Sequence, residues 1–299
     1  MEIIALATTR LLWSAATEIE LPISGSPAVT AIGKQTISVA YSHHNPEEPG
    51  KGKLISVVSS SDGLNWTGPV CTDLEADGGF DVSSDSMNMY LAYVNQGRLY
   101  FATSLRGYEW PVRPRDIGVE ARGNPSLCWN DGILYLAFRG ASSDTIYLIF
   151  SEDGGKSWTG LVDTGFKSRS GASVGVFMDN VYLMFPDRGT GRIRIFINFD
   201  PFLKGSWESR GELSIRSDAA PSQVNFQDSR LYIGLVSRPG HQLRVFGSLI
   251  GGWEEDNLPG GRLSGAPAGT SFRYRRKEYL LYAGRSYDNG NLIIKRAEV

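Results

Sequence analysis

The chain has 299 residues, with 30 Lys+Arg against 32 Asp+Glu and a formal net charge of −2. That balance argues against a general nucleic-acid or polyanion binder, which carries a basic excess. With 21% charged residues and no apolar run near the ~18 residues of a spanning helix, it also excludes a disordered acidic chain and a helical membrane protein.

Thirty-five glycines, about 12% against a typical ~7%, stand beside 13 Tyr, 13 Phe and 7 Trp. Many turns with many aromatics read as all-β. Two cysteines, Cys71 and Cys128, exclude a disulfide scaffold and a cysteine-cluster metal site. Three histidines, His43, His44 and His241, offer no zinc pattern. No cofactor or metal is expected. The N-terminus lacks a basic region before its apolar residues, which predicts no secretory signal and a chain that is cytoplasmic or released by a non-classical route.

In chain order, Ile3–Trp13 reads as an orphan strand ending in a tryptophan turn. A first unit opens at Ser26-Pro27, turns at Gly33-Lys34, runs through the β-formers Thr36–Tyr41 and reaches Trp66. The second opens at Gly79-Phe80 and passes through Met89–Tyr93 to Trp110. The third opens at Asn124-Pro125, turns at Asn130-Asp131-Gly132 and passes through Leu134–Phe138 to Trp158. The fourth opens at Gly171-Ala172, turns at Asp179-Asn180 and passes through Val181–Phe185 to Trp207. The fifth opens at Ala220-Pro221, turns at Asp228-Ser229 and passes through Leu231–Leu235 to Trp253. The sixth opens at Ala266-Pro267, passes through Glu278–Tyr282 and stops after a third strand, Asn291–Val299, with no tryptophan turn.

The six tryptophans are spaced by 53, 44, 48, 49 and 46 residues. About 45 residues and four antiparallel strands per repeat is a propeller blade. The sequence predicts one all-β domain over 1–299, a six-bladed β-propeller of four-stranded antiparallel blades. The blades fall at approximately 26–77, 78–121, 122–168, 169–216, 217–262 and 263–299 plus 1–25. The N-terminal segment is expected to complete the C-terminal blade, closing the ring and removing a sheet edge. Cys128 is expected to be buried in an inner strand, and Trp129 to pack in a slot filled elsewhere by Phe177, Phe226 and Phe272.

The tryptophan turns carry a further pattern. Ser151, Asp153, Gly155 and Trp158 form S-x-D-x-G-x-x-W, and Ser60, Asp62, Gly63 and Trp66 form a version one residue shorter. The turn at Thr103–Trp110 keeps Thr, Gly107 and Trp without the Asp. The pattern resembles the Asp box, or BNR repeat, of the sialidase-like propellers, and the resemblance implies a non-catalytic, lectin-like member. Short polar side chains bond a tight turn, glycine takes positive φ and tryptophan buries an apolar face, so these aspartates read as turn residues.

Strand parity sorts the loops. Connections after strands one and three leave one face, which holds the tryptophan turns. Connections after strands two and four leave the other, where the propellers this chain resembles usually bind ligands. On that face arginine recurs in phase. Arg188, Arg238 and Arg285 follow strand two, where the first three units have His44, Gln96 and Ala141, with Arg139 two residues ahead of Ala141. Arg122, Arg169, Arg216 and Arg262 stand just before the small/Pro steps. Guanidinium forks suit sugar hydroxyls, carboxylates or phosphates. The same arginines could instead pair with Asp187, Asp218 and Glu120 as structural ties.

Three functions follow. The first is a carbohydrate-binding, multivalent lectin-like propeller, with glycans or glycoconjugates as partners and neither nucleic acid nor membrane insertion. The second is a sialidase-type exo-glycoside hydrolase. The resemblance implies three arginines on the substrate carboxylate, a Tyr nucleophile with a Glu, and an Asp acid/base. The Phe/Tyr-Arg-Ile/Leu-Pro motif of those enzymes is absent, so no catalytic residue carries over. The third is a protein-interaction scaffold.

Overall fold

The computed structural model describes residues 11–45, 52–111, 113–200, 202–226, 230–249, 252–256 and 262–299. The expected strand residues 3–10 and the turn at 228–229 lie outside them.

Among the described residues the regular elements are all strands. β1 (Leu12–Trp13) and β2 (Thr17–Pro22) precede a four-stranded sheet of β3 (Ala28–Ile32), β4 (Thr36–His44), β5 (Lys53–Ser60) and β6 (Val70–Ala76). Next come β7 (Phe80–Ser84), β8 (Asn88–Asn95), β9 (Arg98–Leu105), β10 (Arg115–Asn130), β11 (Ile133–Gly140), β12 (Thr145–Ser151) and β13 (Val162–Lys167), joined in one seven-stranded sheet. β14 (Ser173–Phe177), β15 (Asn180–Pro186), β16 (Arg192–Asn198) and β17 (Glu208–Arg216) form a third sheet. β18 (Ser222–Phe226), β19 (Arg230–Val236), β20 (Leu243–Leu249) and β21 (Gly252–Asp256) form a fourth. β22 (Ala268–Tyr274), β23 (Lys277–Arg285) and β24 (Asn291–Glu298) form the last with β1 and β2.

The seven-stranded sheet is two units run together. Arg115, Asp116 and Glu120 of β10 pair with β9, whereas Ala121–Asn130 pair with β11 across a register shift between Arg122 and Ser126. The unit boundary expected at 121/122 therefore lies inside one strand that changes partners. At the chain ends, Leu12 and Trp13 pair with Glu298 and Ala297, and Thr17–Ile19 pair with Ile294–Leu292. The N-terminal segment thus supplies the outer strand of the C-terminal sheet.

Burial follows strand position. The second strands carry largely apolar runs, and their central residues are buried on both faces, as in β4, β8 and β23. The outer strands β2, β6 and β13 alternate between exposed and covered residues. A strand reads as continuously apolar when sheets lie against both of its faces. The core is accordingly split into clusters between neighbouring sheets. Val39 and Tyr41 pack with Phe272 and Leu281, Tyr93 with Ile55 and Val57, and Leu235 with Ile195. Trp13, Trp66, Trp110, Trp158, Trp207 and Trp253 are each half-buried against one such cluster.

The innermost strands touch in a cycle: β3 to β7, β7 to β10, β10 to β14, β14 to β18, β18 to β22 and β22 back to β3. This is a propeller-like arrangement of small antiparallel sheets. The small/Pro steps meet at its centre around a cavity of about 110 Å³, lined among others by Pro27, Asn124, Ala172, Pro221 and Pro267. Bulk is excluded there, since a Cβ on Gly79 would stand 1.8 Å from Asn124 Oδ1. Polar ties link neighbouring inner strands. Ser26 Oγ accepts from Ala266 N–H (2.9 Å), Thr30 and Ser84 share a bond (2.7 Å), and Ser83 Oγ accepts from Trp129 N–H (2.8 Å). Ser126 Oγ accepts from Val174 N–H at 3.1 Å, and Asp81 Oδ2 accepts from Leu127 N–H at 2.8 Å. Cys128, expected buried, is half-buried on the inner half of β10, and burial pushes its thiol up to about 12.

The tryptophan turns close on their own polar groups. Ser151 Oγ donates to Asp153 Oδ1 (2.8 Å) and accepts from Gly155 N–H (2.8 Å), while Asp153 accepts from Ser157 N–H (2.9 Å) and hydroxyl (2.6 Å). Asp62 accepts from the N–H groups of Leu64 and Asn65, both at 2.8 Å, and from the Ser60 hydroxyl at 3.0 Å. The Ser157 hydroxyl and N–H hold Asp153 well below the usual carboxylate range. Asp62 is also lowered: burial opposes ionisation, but the bonds from Asn65, Leu64 and Ser60 outweigh it.

Two stability experiments follow. Deleting residues 1–22 strips one edge of β24 of β1 and β2, leaving only β23 beside it, and should lower the melting temperature by about 10 °C or more, at ~2–4 °C per kcal/mol for a chain of this size; an unchanged melt overturns the role of the segment. Burial raises the Asp81 carboxyl to about 7 against the bonds from Leu127, Val82 and Ser126. Between roughly pH 4 and 7 the folded chain holds a proton the unfolded chain has lost, so stability falls as pH rises through that window. Asp81→Asn should flatten this slope in urea midpoints measured from acid to neutral pH. Parallel profiles for parent and variant would discount it.

Candidate functional site on the arginine loop face

The loops after second and fourth strands are stitched together by backbone bonds, which fixes where the arginines stand. Ser168 N–H donates to Asp144 O and Ser217 N–H to Gly191 O, both at 2.9 Å. Arg238 N–H donates to Arg216 O (2.8 Å), and Leu263 N–H to His241 O (2.7 Å). Each fourth-strand exit is thereby held against second-strand loops, so an arginine at either position points into a shared seam.

Four of the expected arginines line one pocket of about 650 Å³: Arg169, Arg188, Arg216 and Arg238, with Asp187, Asp218 and His241 beside them. All four arginines are exposed. Arg238 pairs with Asp218, and both remain open to solvent. Asp187 is occupied by its own loop, accepting from Thr190 N–H at 2.9 Å and Gly189 N–H at 3.0 Å. The Thr190 N–H is the largest influence that lowers its pKa.

Beside this pocket three arginines converge on Asp144. Arg122 lies 2.9 Å from it, Arg188 3.5 Å and Arg139 3.7 Å. Arg139 is the most covered of the three; it donates to Arg169 O, and its Nε is buried without a hydrogen-bond partner. Burial, then the nearby Arg122 charge, lower the Arg139 pKa, while Asp144 opposes the shift. Three guanidinium groups around one carboxylate leave an excess of positive charge and spare N–H donors, which suits an anionic or hydroxyl-rich ligand.

The other expected residues have different settings. Arg285 is a strut, donating to Ile23 O at 2.8 Å and Ser264 Oγ at 3.2 Å, so it ties the N-terminal segment to a neighbouring loop. Arg262 lies 4.2 Å over the Tyr287 ring and 3.5 Å from Asp288. His44 is exposed at the end of β4. Gln96 forms the β8–β9 turn, its N–H donating to Asp77 Oδ2 at 2.8 Å. Neither His44 nor Gln96 lines the large pocket.

Sequence reasoning missed Asp144. Its signal was spacing: Asp144 and Asp288 each stand six residues past the last aromatic of their second strand, Phe138 and Tyr282. Each pairs with the arginine before its own unit, Arg122 and Arg262.

No family model matches the sequence, and no curated protein matches it. Solved structures do. The Hadza microbial sialidase Hz136 superposes with a TM-score of 0.69 at 14% identity, over 91% of this chain and 65% of that one. Trypanosoma rangeli sialidase in complex with the inhibitor DANA gives 0.65 at 9% identity, over 96% of this chain and 60% of that one. AofleA from Arthrobotrys oligospora gives 0.65 at 11% identity, over 96% and 86%. The chain spans about two thirds or less of the length of these two sialidase chains. At such identities the likeness is one of architecture: this chain has the sialidase-type β-propeller fold.

Proposed function

We propose that this chain is a six-bladed, glycan-binding propeller that takes its ligands on the arginine loop face. The blades would fall at 26–77, 78–121, 122–168, 169–216, 217–262 and 263–299 plus 1–25, with the shared terminal blade closing the ring. The closed cycle of inner strands and the pairing of β1 and β2 with β24 support that count.

One observation carries the function: four in-phase arginines open into a single cavity of about 650 Å³ while keeping their guanidinium groups exposed. Arg122 and Arg139 beside Asp144, at the neighbouring seam, would give a further site of related chemistry, and hence avidity on a multivalent glycan. The large pocket between the fourth and fifth blades would be the tightest.

Binding is favoured over hydrolysis by what surrounds the arginines. The described lining of the pocket holds neither a tyrosine nor a glutamate. Tyr41, Tyr93, Tyr135 and Tyr282 are buried in the core, and burial raises the pKa of each. Tyr287 is exposed on the same face, stacked on His241 of the lining and under Arg262, but the described lining supplies no glutamate to partner it.

A glycan array followed by calorimetry tests this reading. The Arg188→Ala, Arg238→Ala double variant should lose at least about tenfold in affinity, the loss of one charge-assisted bond or more, with an unchanged melt. Retained affinity would remove the pocket from the site, and turnover of a fluorogenic sialoside by the parent would replace binding with hydrolysis. Asp144→Asn removes the one carboxylate shared by Arg122, Arg139 and Arg188, and should shift preference from neutral toward acidic glycans. An unchanged ratio of the two affinities would show that this cluster does not meet the ligand.

A further inference from the structure

The face opposite the arginines is the apolar one. Strand parity sends the connections after first and third strands to it. Eleven large apolar side chains are exposed among the described residues, and ten lie on these connections or on the strand ends beside them. Only Tyr287 lies on the arginine face. Leu12 is 75% exposed, Met178 59%, Tyr108 58% and Met87 52%. Single exposed apolar residues are ordinary; here ten of the eleven gather on one face.

The exposed charges at the first-to-second hairpin tips of this face are sorted by sign. The tips joining first to second strands carry exposed Lys34 in the first unit and Arg275 and Arg276 in the sixth. The third carries Asp131 and the fourth Asp179, also exposed. None of these five has an ion-pair partner among the described residues, whereas their neighbours Arg273 and Lys277 pair with Glu278 and Glu298. In the cycle of inner strands β3 stands across from β14, and β22 across from β10. The basic tips thus hold one half of the face and the acidic tips the other, divided by the line from the second unit to the fifth.

We infer that this face docks on the same face of a second copy of the chain, about a two-fold axis along that dividing line. Turning the face over about the line exchanges its halves. Lys34 then meets the partner's Asp131, and Arg275 and Arg276 meet the partner's Asp179. Met87 and Tyr108, on the second unit, lie along the axis and meet their own counterparts. Such a contact is isologous and closed, so assembly stops at two. An anionic membrane fits less well, because the acidic half would be repelled. The dimer would present both arginine faces outward, which doubles the valency of any ligand site there but does not depend on one.

Sedimentation of the full chain at micromolar concentration tests the inference. The parent should run at twice its 32.8 kDa. Lys34→Asp and Asp131→Lys should each weaken the dimer at least about tenfold, through like charges set opposite one another. The double variant, with the pair reversed, should recover it. Lysine at 131 is compatible with the turn, since Lys34 already holds φ 57° at the corresponding tip, and an unchanged circular-dichroism melt for each variant verifies folding. A monomeric parent overturns the inference. So does a dimer indifferent to both single substitutions, or one that the double variant fails to restore.

Discussion

The structure depends on one constraint: each sheet is apolar on both faces. Central strands such as β4, β8 and β23 bury residues toward both sides, so a sheet needs a neighbour on each side to leave water. A stack of such sheets would end in two uncovered apolar faces. A closed cycle has no ends, and the inner strands form that cycle. The clusters between sheets, with a tryptophan on the outer side of each, are the same solution repeated. The hub is held by hydrogen bonds between inner strands, because their first residues are too small to fill it by packing.

Closure decides the placement of everything else. With the strands radiating from a hub, every connection must leave by one of two faces, and antiparallel order assigns each to its face. The tryptophan turns and hairpin tips share one face, and the arginine-bearing loops share the other. The two faces then diverge in chemistry. One offers guanidinium groups around a pocket, with carboxylates in short supply. The other offers apolar side chains and hairpin tips divided by charge.

Much of the architecture was legible because each unit obeys local rules. The period of the tryptophans, the runs from Thr36–Tyr41 to Glu278–Tyr282 and the small/Pro steps all mark strand order without reference to distant contacts. The partner change inside β10 was not legible. Gly123-Asn124-Pro125 reads as a break, yet the strand continues there as a register shift because β9 and β11 hold its two halves. At the site, the phase of the arginines was readable but their occupation was not. Arg285 and Arg188 hold corresponding positions, yet one is locked to Ile23 O and Ser264 while the other faces a pocket. That difference comes from the N-terminal segment, which lies beside Arg285 and has no equivalent beside Arg188.

The sequence by itself determined the strand class, the repeat, the sorting of loops to two faces and the recurrence of arginine on one of them. These are local or periodic properties, set by side-chain alternation, turn chemistry and spacing. Only the tertiary structure decided which arginines share a carboxylate, which line a cavity and which serve as struts. It also decided that the exposed apolar residues gather on one side and that basic hairpin tips stand across the ring from acidic ones. Those relations join residues far apart in the chain, and they exist only once the cycle of strands is closed.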